Sequence, residues 1–228
     1  MNFKPALLLA ASLIALNAHA DIVAQWDFEK KDTKHSFSQN GASFATVGSV
    51  TLDYFGGSKG SVAGLQTLNY GAAPGAIPSG VQFMIDTSGN ENLVFSFDQR
   101  HTATSSAYTA LLYTLDHGAS WLQATTFFIT KVDWVTSSYD FSSITGANNN
   151  AEFGLRLVSI GAPGTTSYVP TDSTKKYASG GAIRYDSVTL SGTAIPDVIP
   201  SPVPEASTVA MLLAGLGVLG VLARRRKA

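Results

Sequence analysis

The chain has no cysteine among its 228 residues. No disulfide and no thiolate metal site can hold the fold, so apolar burial must do it. Charge is sparse: Asp, Glu, Lys and Arg together make up 14% of the residues, with a formal net of −1. Between the two ends, no window of about a dozen residues carries a 3.6-residue apolar period, which excludes a helical bundle. A propeller would need a repeat of roughly 40–50 residues, and there is none. No EF-hand loop or His-Glu-x-x-His spacing is present. His35, His101 and His117 stand singly and read as surface residues, with His101 at a strand end and His117 in a turn.

The chain does have two distinctive ends. At the first, Lys4 gives a positive n-region, Ala6 to Leu16 an apolar h-region, and Ala18-His19-Ala20 a small-x-small cleavage site. Residues 1–20 therefore read as a signal peptide for the Sec machinery, cut after Ala20 to leave Asp21 first. Setting aside Lys4 and the four basic residues near the other end leaves ten of the fifteen Lys and Arg against all sixteen Asp and Glu, a net of −6. A mildly acidic exported body disfavours nucleic acid and anionic lipid as partners.

Between the ends, short alternating runs are separated by Gly, Asn, Asp and Ser clusters, the pattern of antiparallel strands. Strands are predicted near Ile22–Glu29, Ala42–Val47, Ser49–Phe55, Ser61–Leu68, Gly80–Asp86, Asn92–Arg100, Tyr108–Leu115, Trp121–Ile129, Glu152–Ile160 and Ala182–Ser191. Asp140–Ile144 and Asn148–Asn150 read as turns, and Gly161–Gly181 as a long polar loop with a mobile Tyr168–Tyr177 tip. The expected fold is all-β, a single jelly-roll-like β-sandwich over residues 21–192. A Pro-rich linker follows at 193–202, with Pro196, Pro200 and Pro202 favouring extended chain. The predicted last strand, Gly180 to Leu190, resembles the closing strand of secreted jelly-roll carbohydrate-binding modules.

Residues 203–228 form a three-part tail. Val203-Pro204-Glu205-Ala206-Ser207-Thr208 precedes an uncharged run from Val209 to Ala223, and Arg224, Arg225, Arg226 and Lys227 follow. Fifteen residues of helix span roughly 22 Å, short of a hydrocarbon core of about 30 Å. Eighteen, counted from Ala206, reach about 27 Å and cross with local thinning. The basic cluster would stay in the cytoplasm and act as a stop. This order resembles the PEP-CTERM sorting signal of Gram-negative bacteria, with Ala206 where that signal carries a second proline. The resemblance implies processing by an exosortase at the Val203–Ala206 motif, transient inner-membrane anchoring through the 209–223 helix, and association with extracellular polysaccharide.

Several motifs bear on chemistry. Thr114-x-Asp116-x-Gly118-x-Ser120-Trp121 fits the Asp-box pattern, a structural hairpin turn. Gly56-Gly57-Ser58-Lys59-Gly60 matches Gly-x-Ser-x-Gly, but no helix or α/β alternation follows to make it a nucleophile elbow. Gly215-x-Gly217-x-x-Gly220 lies in the terminal apolar run and reads as small residues of a membrane helix. No catalytic residue is assigned. Asp98, His101 and Asp116 have types that would suit a site if the fold gathered them. Asp98, Asp116 and Asp133 are the carboxylates a glycoside hydrolase would draw on. No cofactor is required. Calcium is the one cation whose ligands are in view, at Asp27, Glu29 and Asp186 on the first and last strands. Trp26, Trp121, Trp134, Tyr168, Tyr177 and Tyr185 form the aromatic pool for stacking on sugars, with Trp134 and the loop tyrosines expected to be exposed. The expected function is that of a non-enzymatic exported surface or matrix protein. A carbohydrate-binding module is the first alternative and a secreted glycoside hydrolase the second.

Overall fold

A computed structural model describes residues 20–75 and 78–196. Twelve strands run along them: β1 (Ala20–Trp26), β2 (Phe37–Ser38), β3 (Ala42–Val47), β4 (Thr51–Phe55), β5 (Gly64–Leu68), β6 (Gly80–Ile85), β7 (Asn90–His101), β8 (Tyr108–Thr114), β9 (Leu122–Phe128), β10 (Val135–Asp140), β11 (Gly154–Ile160) and β12 (Ile183–Ala194). A single 3₁₀ turn at Thr145–Ala147 is the one helical piece among them. The strands form a jelly-roll-like sandwich. One sheet of seven strands runs β10-β7-β12-β1-β2, with β5 and then β4 added beside β12. The other, of five, runs β3-β6-β11-β8-β9. All pairings are antiparallel.

Period-2 alternation sets which face each strand buries. Leu93, Phe95 and Phe97 on β7 and Leu155 and Leu157 on β11 are fully buried, as their spacing predicts. Aromatic rings tie the sheets together. Trp26 meets Phe83 edge-on at 4.8 Å, Phe83 lies 6.3 Å from Phe95, and Phe97 meets Phe127 at 5.4 Å. With no disulfide present, this aromatic layer carries the load, and truncating one such ring to alanine costs about 3–5 kcal/mol.

The structure corrects the sequence reading in four places. Strand β10 was not predicted, because its inward position holds Ser137, which is buried and accepts a 2.7 Å bond from the Gln99 amide. The two-residue β2 is too short to leave any period. His101 is not a surface residue but fully buried, its Nδ1 2.8 Å from the Ser106 carbonyl and its Nε2 3.0 Å from the Gln99 amide. Burial holds it neutral, with its pKa lowered to about 4. The loop tyrosines are not exposed either, although residues 173–176 between them are. Tyr168 is buried, the rings lie 4.7 Å apart, and the Tyr177 hydroxyl donates to the Gly71 carbonyl at 2.6 Å. The remaining predicted strands are present with ends moved by up to three residues, and β12 runs to Ala194, two residues into the segment read as linker.

Ala20 opens β1, paired with Thr193, while Ala18 lies outside the described residues. The tail at 203–228 lies outside them too, and with it the Val203–Ala206 motif, the helix expected at 209–223 and the stop expected at Arg224, Arg225, Arg226 and Lys227. Among the described residues no helix is long and apolar enough to cross a membrane.

Candidate functional site

The outer face of the seven-stranded sheet is organised by a fork in β12. Ile183–Tyr185 pair with β5, whereas Val188–Thr193 pair with β1. The change of neighbour falls at an irregularity between Asp186 and Thr189, where Ser187 takes φ +50°. A local break of this kind re-aims the strand and leaves backbone and side chain to be satisfied from outside the ladder. The 56–62 loop supplies the partners. The Ser58 amide donates to Asp186 Oδ2 at 2.7 Å, and the Ser58 hydroxyl donates to Asp98 Oδ2 at 2.6 Å. Asp98 and Asp186 are cross-strand partners, so Ser58 is wedged between two carboxylates that share one rung. Lys59 closes the loop with an ion pair to Asp98 at 3.2 Å. Gly57 has no room for a side chain, since a Cβ there would sit 2.4 Å from Asp186 Oδ2.

The two carboxylates are pushed opposite ways. Burial raises Asp186, and the amides of Ser58 and Ser187 offset this only in part. Burial also acts to raise Asp98, but hydrogen bonds from Ser58, Thr136 and Lys59 outweigh it and hold Asp98 below the ordinary carboxylate range. A pair of acids with split proton affinities would suit hydrolysis in an open cleft. Here both are essentially inaccessible, at 2% and 1% exposure, and Ser58 is likewise buried at 2%. The Gly-x-Ser-x-Gly serine therefore serves as a hydrogen-bonding wedge holding the loop on the sheet. This role leaves no sequence period; the loop's Gly and Ser content was its one signal.

Beside this latch an open rung crosses four strands. Asp53 on β4, Gln66 on β5, Arg184 on β12 and Arg100 on β7 stand in register. The Arg184 Nε donates to Gln66 Oε1 at 2.7 Å, and its guanidinium stacks on Phe55, 3.7 Å from the ring centre. The Arg100 Nε donates to the Val132 carbonyl at 2.7 Å. Trp134, just before β10, is half-buried and reaches inward over the sheet: a Cβ on Gly64 would lie 3.4 Å from its ring. Phe55 is 46% exposed. Planar apolar rings flanking unused hydrogen-bond donors can stack on a sugar and fix its hydroxyls or charges.

The other predicted residues distribute as follows. Of the aromatic pool, Trp26 and Tyr185 are fully buried, and Tyr168 is buried beside half-buried Tyr177 in the 161–181 loop, which leaves Trp134 on this face and Trp121 on the opposite sheet. Phe55 was missed, because an exposed Phe at a strand end looks like any sheet residue. Asp98 and His101 point to opposite faces of β7 and Asp116 lies in the β8–β9 hairpin, so the three do not converge. Asp116 is fully engaged there. It accepts from Thr114 Oγ1 at 2.6 Å, the Ser120 amide at 2.9 Å and Ser120 Oγ at 2.5 Å, which lower its pKa to about 2. The Asp box is thus the structural turn its pattern predicts, with His117 and Gly118 at positive φ. Each of the suggested calcium ligands accepts a backbone amide. Asp186 is occupied by the loop, Glu29 accepts the Val62 amide, and Asp27 accepts the Glu29 amide. Asp27 and Glu29 share their cleft with Lys30, Lys34 and His35. Among the described residues no group of three or more acidic or histidine side chains is placed to hold a metal.

The PEP-CTERM protein-sorting motif is matched over residues 202–227. The chain carries this motif, which marks exported proteins handled by an exosortase. No curated protein matches the chain. Similar solved structures include the CBM22-1–GH10 modules of the Clostridium thermocellum endo-1,4-β-D-xylanase 10B complexed with xylohexaose, at TM-score 0.48 and 14% identity over 80% of this chain and 30% of that one. The N-terminal CBM22-1–CBM22-2 tandem domain of a Paenibacillus barcinonensis protein gives 0.49 and 18% over 82% and 50%. A variant of the family 29 carbohydrate-binding module CBM29-2 gives 0.43 and 14% over 82% and 100%. The chain thus spans about a third of the first and half of the second.

Proposed function

We propose that this is an exported, exosortase-sorted protein of the cell surface or extracellular matrix, and that the outer face of its seven-stranded sheet binds polysaccharide. Sorting rests on the motif at 202–227. Binding rests on one observation: beside the Arg100–Arg184–Gln66 rung, exposed Phe55 stacks on Arg184 and Trp134 lies over Gly64, the cross-strand partner of Phe55. The apolar face of a pyranose ring stacks on an aromatic ring, while neighbouring planar donors select its substituents. The N-terminal signal, cut after Ala20 between Ala18-His19-Ala20 and Asp21, delivers the domain through the Sec machinery. The 209–223 helix then holds it at the inner membrane until the Val203–Ala206 motif is processed.

Two measurements test this. Mass spectrometry of the mature C-terminus, with and without an exosortase, should show loss of the tail only where the enzyme is present. A tail ending at Ala228 in both cells would reduce the segment to a plain anchor. Glycan-array binding by the full chain should be lost in Trp134→Ala and kept in Trp121→Ala. Equal binding by both variants would remove the sheet face from the account.

A further inference from the structure

The open rung carries a feature that a merely structural sheet would not retain. Arg184 and Arg100 are direct cross-strand partners. Like charges placed opposite one another destabilise a sheet pair, and natural sheets relieve this by placing a carboxylate between them. No carboxylate stands on this rung between them; Asp98 and Asp186, on the adjacent rung of the same two strands, are taken up by Ser58, Thr136 and Lys59. Among the described residues the one Lys or Arg in an ion pair with a carboxylate is Lys59, on Asp98. Arg184 and Arg100 each bond only through Nε, to Gln66 Oε1 and the Val132 carbonyl. Their four Nη nitrogens have no acceptor among the described residues, although each guanidinium offers a fork of donors matched to a two-oxygen anion. Arg184 is also half-buried against Phe55, and burial together with the charge of Arg100 lowers its proton affinity. Two cations are thus held side by side at an energetic cost, on a body with a net of −6.

From this juxtaposition we infer that the face binds an acidic polysaccharide, with the carboxylate of a uronic acid residue bridging the Arg184 and Arg100 forks while its ring stacks on Trp134 or Phe55. This rests on the polysaccharide-binding reading above and names the class of sugar. A neutral glycan has no group that relieves two adjacent guanidinium charges. A nucleic acid or an anionic bilayer engages a broad basic surface, and this face offers one local pair of guanidiniums. Such a pair beside an aromatic ring suits the carboxylate of a single sugar ring.

The test uses the full-length protein and four probes: polygalacturonate, a neutral β-glucan, a neutral xylan, and phosphatidylglycerol vesicles. Wild-type protein should bind polygalacturonate more tightly than either neutral glycan, with affinity falling as salt rises. Arg184→Gln and Arg100→Gln should each weaken polygalacturonate binding roughly tenfold or more, the loss of a charge-assisted bond pair. Arg184→Lys keeps the charge but loses the fork and should restore only part of the binding. Thermal melts of each variant report whether the sheet is intact, and Arg184→Lys at wild-type stability keeps the comparison informative if a Gln variant unfolds. Polygalacturonate binding that is unchanged in Arg100→Gln and Arg184→Lys overturns the inference. So does binding of neutral glycans only, which leaves the polysaccharide reading standing when Trp134→Ala abolishes it. Binding of no glycan at all overturns both readings. Vesicle binding with the same arginine dependence and no glycan binding replaces the sugar with a lipid headgroup.

Discussion

The two outer faces of the sandwich use the same three residue types for different ends. On the five-stranded sheet, the Arg156 Nε donates to Gln82 Oε1 at 2.8 Å and its guanidinium stacks on Trp121 at 3.8 Å. On the seven-stranded sheet, Arg184 does the same with Gln66 and Phe55, at 2.7 and 3.7 Å. The difference lies in what surrounds each rung. Trp121 is fixed by the Asp-box turn, with its Nε1 donating to the Gly118 carbonyl at 3.1 Å, and Arg156 pairs across to Gln82 and Leu112, neither of them charged. That rung is a closed staple. Arg184 instead faces a second arginine, beside an exposed Phe55 and a tryptophan that no turn motif holds. An arginine–aromatic stack alone therefore does not mark a site; an unneutralised neighbour does.

The largest expected effect comes from the latch that only the seven-stranded face possesses. Asp98→Ala removes the partner of Ser58, Thr136 and Lys59 and leaves Asp186 beside an emptied wedge. It should destabilise the domain by about 3–5 kcal/mol in urea denaturation, the cost of losing several hydrogen bonds to a carboxylate and leaving the buried Ser58 hydroxyl without its acceptor. A change near zero would mean that the loop is held by its backbone alone.

Next in size is the acid response of the core beneath that face. His101 is neutral when folded, with a pKa of about 4, against 6.5 when free. Above pH 6.5 neither state binds the proton and the group is silent. As pH falls from 6.5 to about 4 only the unfolded chain protonates, so stability drops by about 3 kcal/mol and then levels off. Denaturation midpoints measured across that range should show the drop, and His101→Gln should flatten it.

The paired tryptophans sharpen the contrast most directly. Trp121→Ala should lower stability by about 1–2 kcal/mol, through loss of a stacked, half-buried ring, with glycan binding intact. Trp134→Ala should leave the melting temperature within a few degrees and reduce glycan affinity roughly tenfold or more. Reversed outcomes in affinity electrophoresis and calorimetry would exchange the roles of the two faces.

The smallest effect belongs to the turn of the five-stranded sheet. Hydrogen bonds from Ser120 and Thr114 depress Asp116 to about 2 from 3.8. Its contribution is present above pH 3.8 and lost as pH falls toward 2. Asp116→Asn should remove that acid-range slope, visible as a melting temperature that no longer declines between pH 4 and 2 beyond the rest of the protein.

How much of this was legible depends on what each residue answers to. Leu93, Phe95 and Phe97 announce a strand because alternation is a local property of the chain. The Asp box could be read because its side-chain bonds, from Thr114 to Trp121, close within eight residues. Strand β10 could not, since a buried Ser137 is acceptable only once Gln99 is across from it. His101 looked like a surface residue for the same reason: its partners Gln99 and Ser106 satisfy it only in the folded sheet. The backbone partners of Asp27, Glu29 and Asp186 were not legible either, because carboxylates near strand ends are as readily taken by backbone amides as by a cation, and nothing local distinguishes the two.

The sequence by itself determined that the chain is all-β, that it lacks covalent staples, and that it ends in a PEP-CTERM sorting motif, because period, composition and contiguous motif are written along the chain. Only the tertiary structure decided the rest. Ser58 meets Asp186 across 128 positions and Asp98 across 40, and Arg184 reaches Gln66 across 118. Contacts at such separations depend on strand order and register, and a shift of one residue would turn Arg100 and Arg184 into the core and leave no rung on the surface.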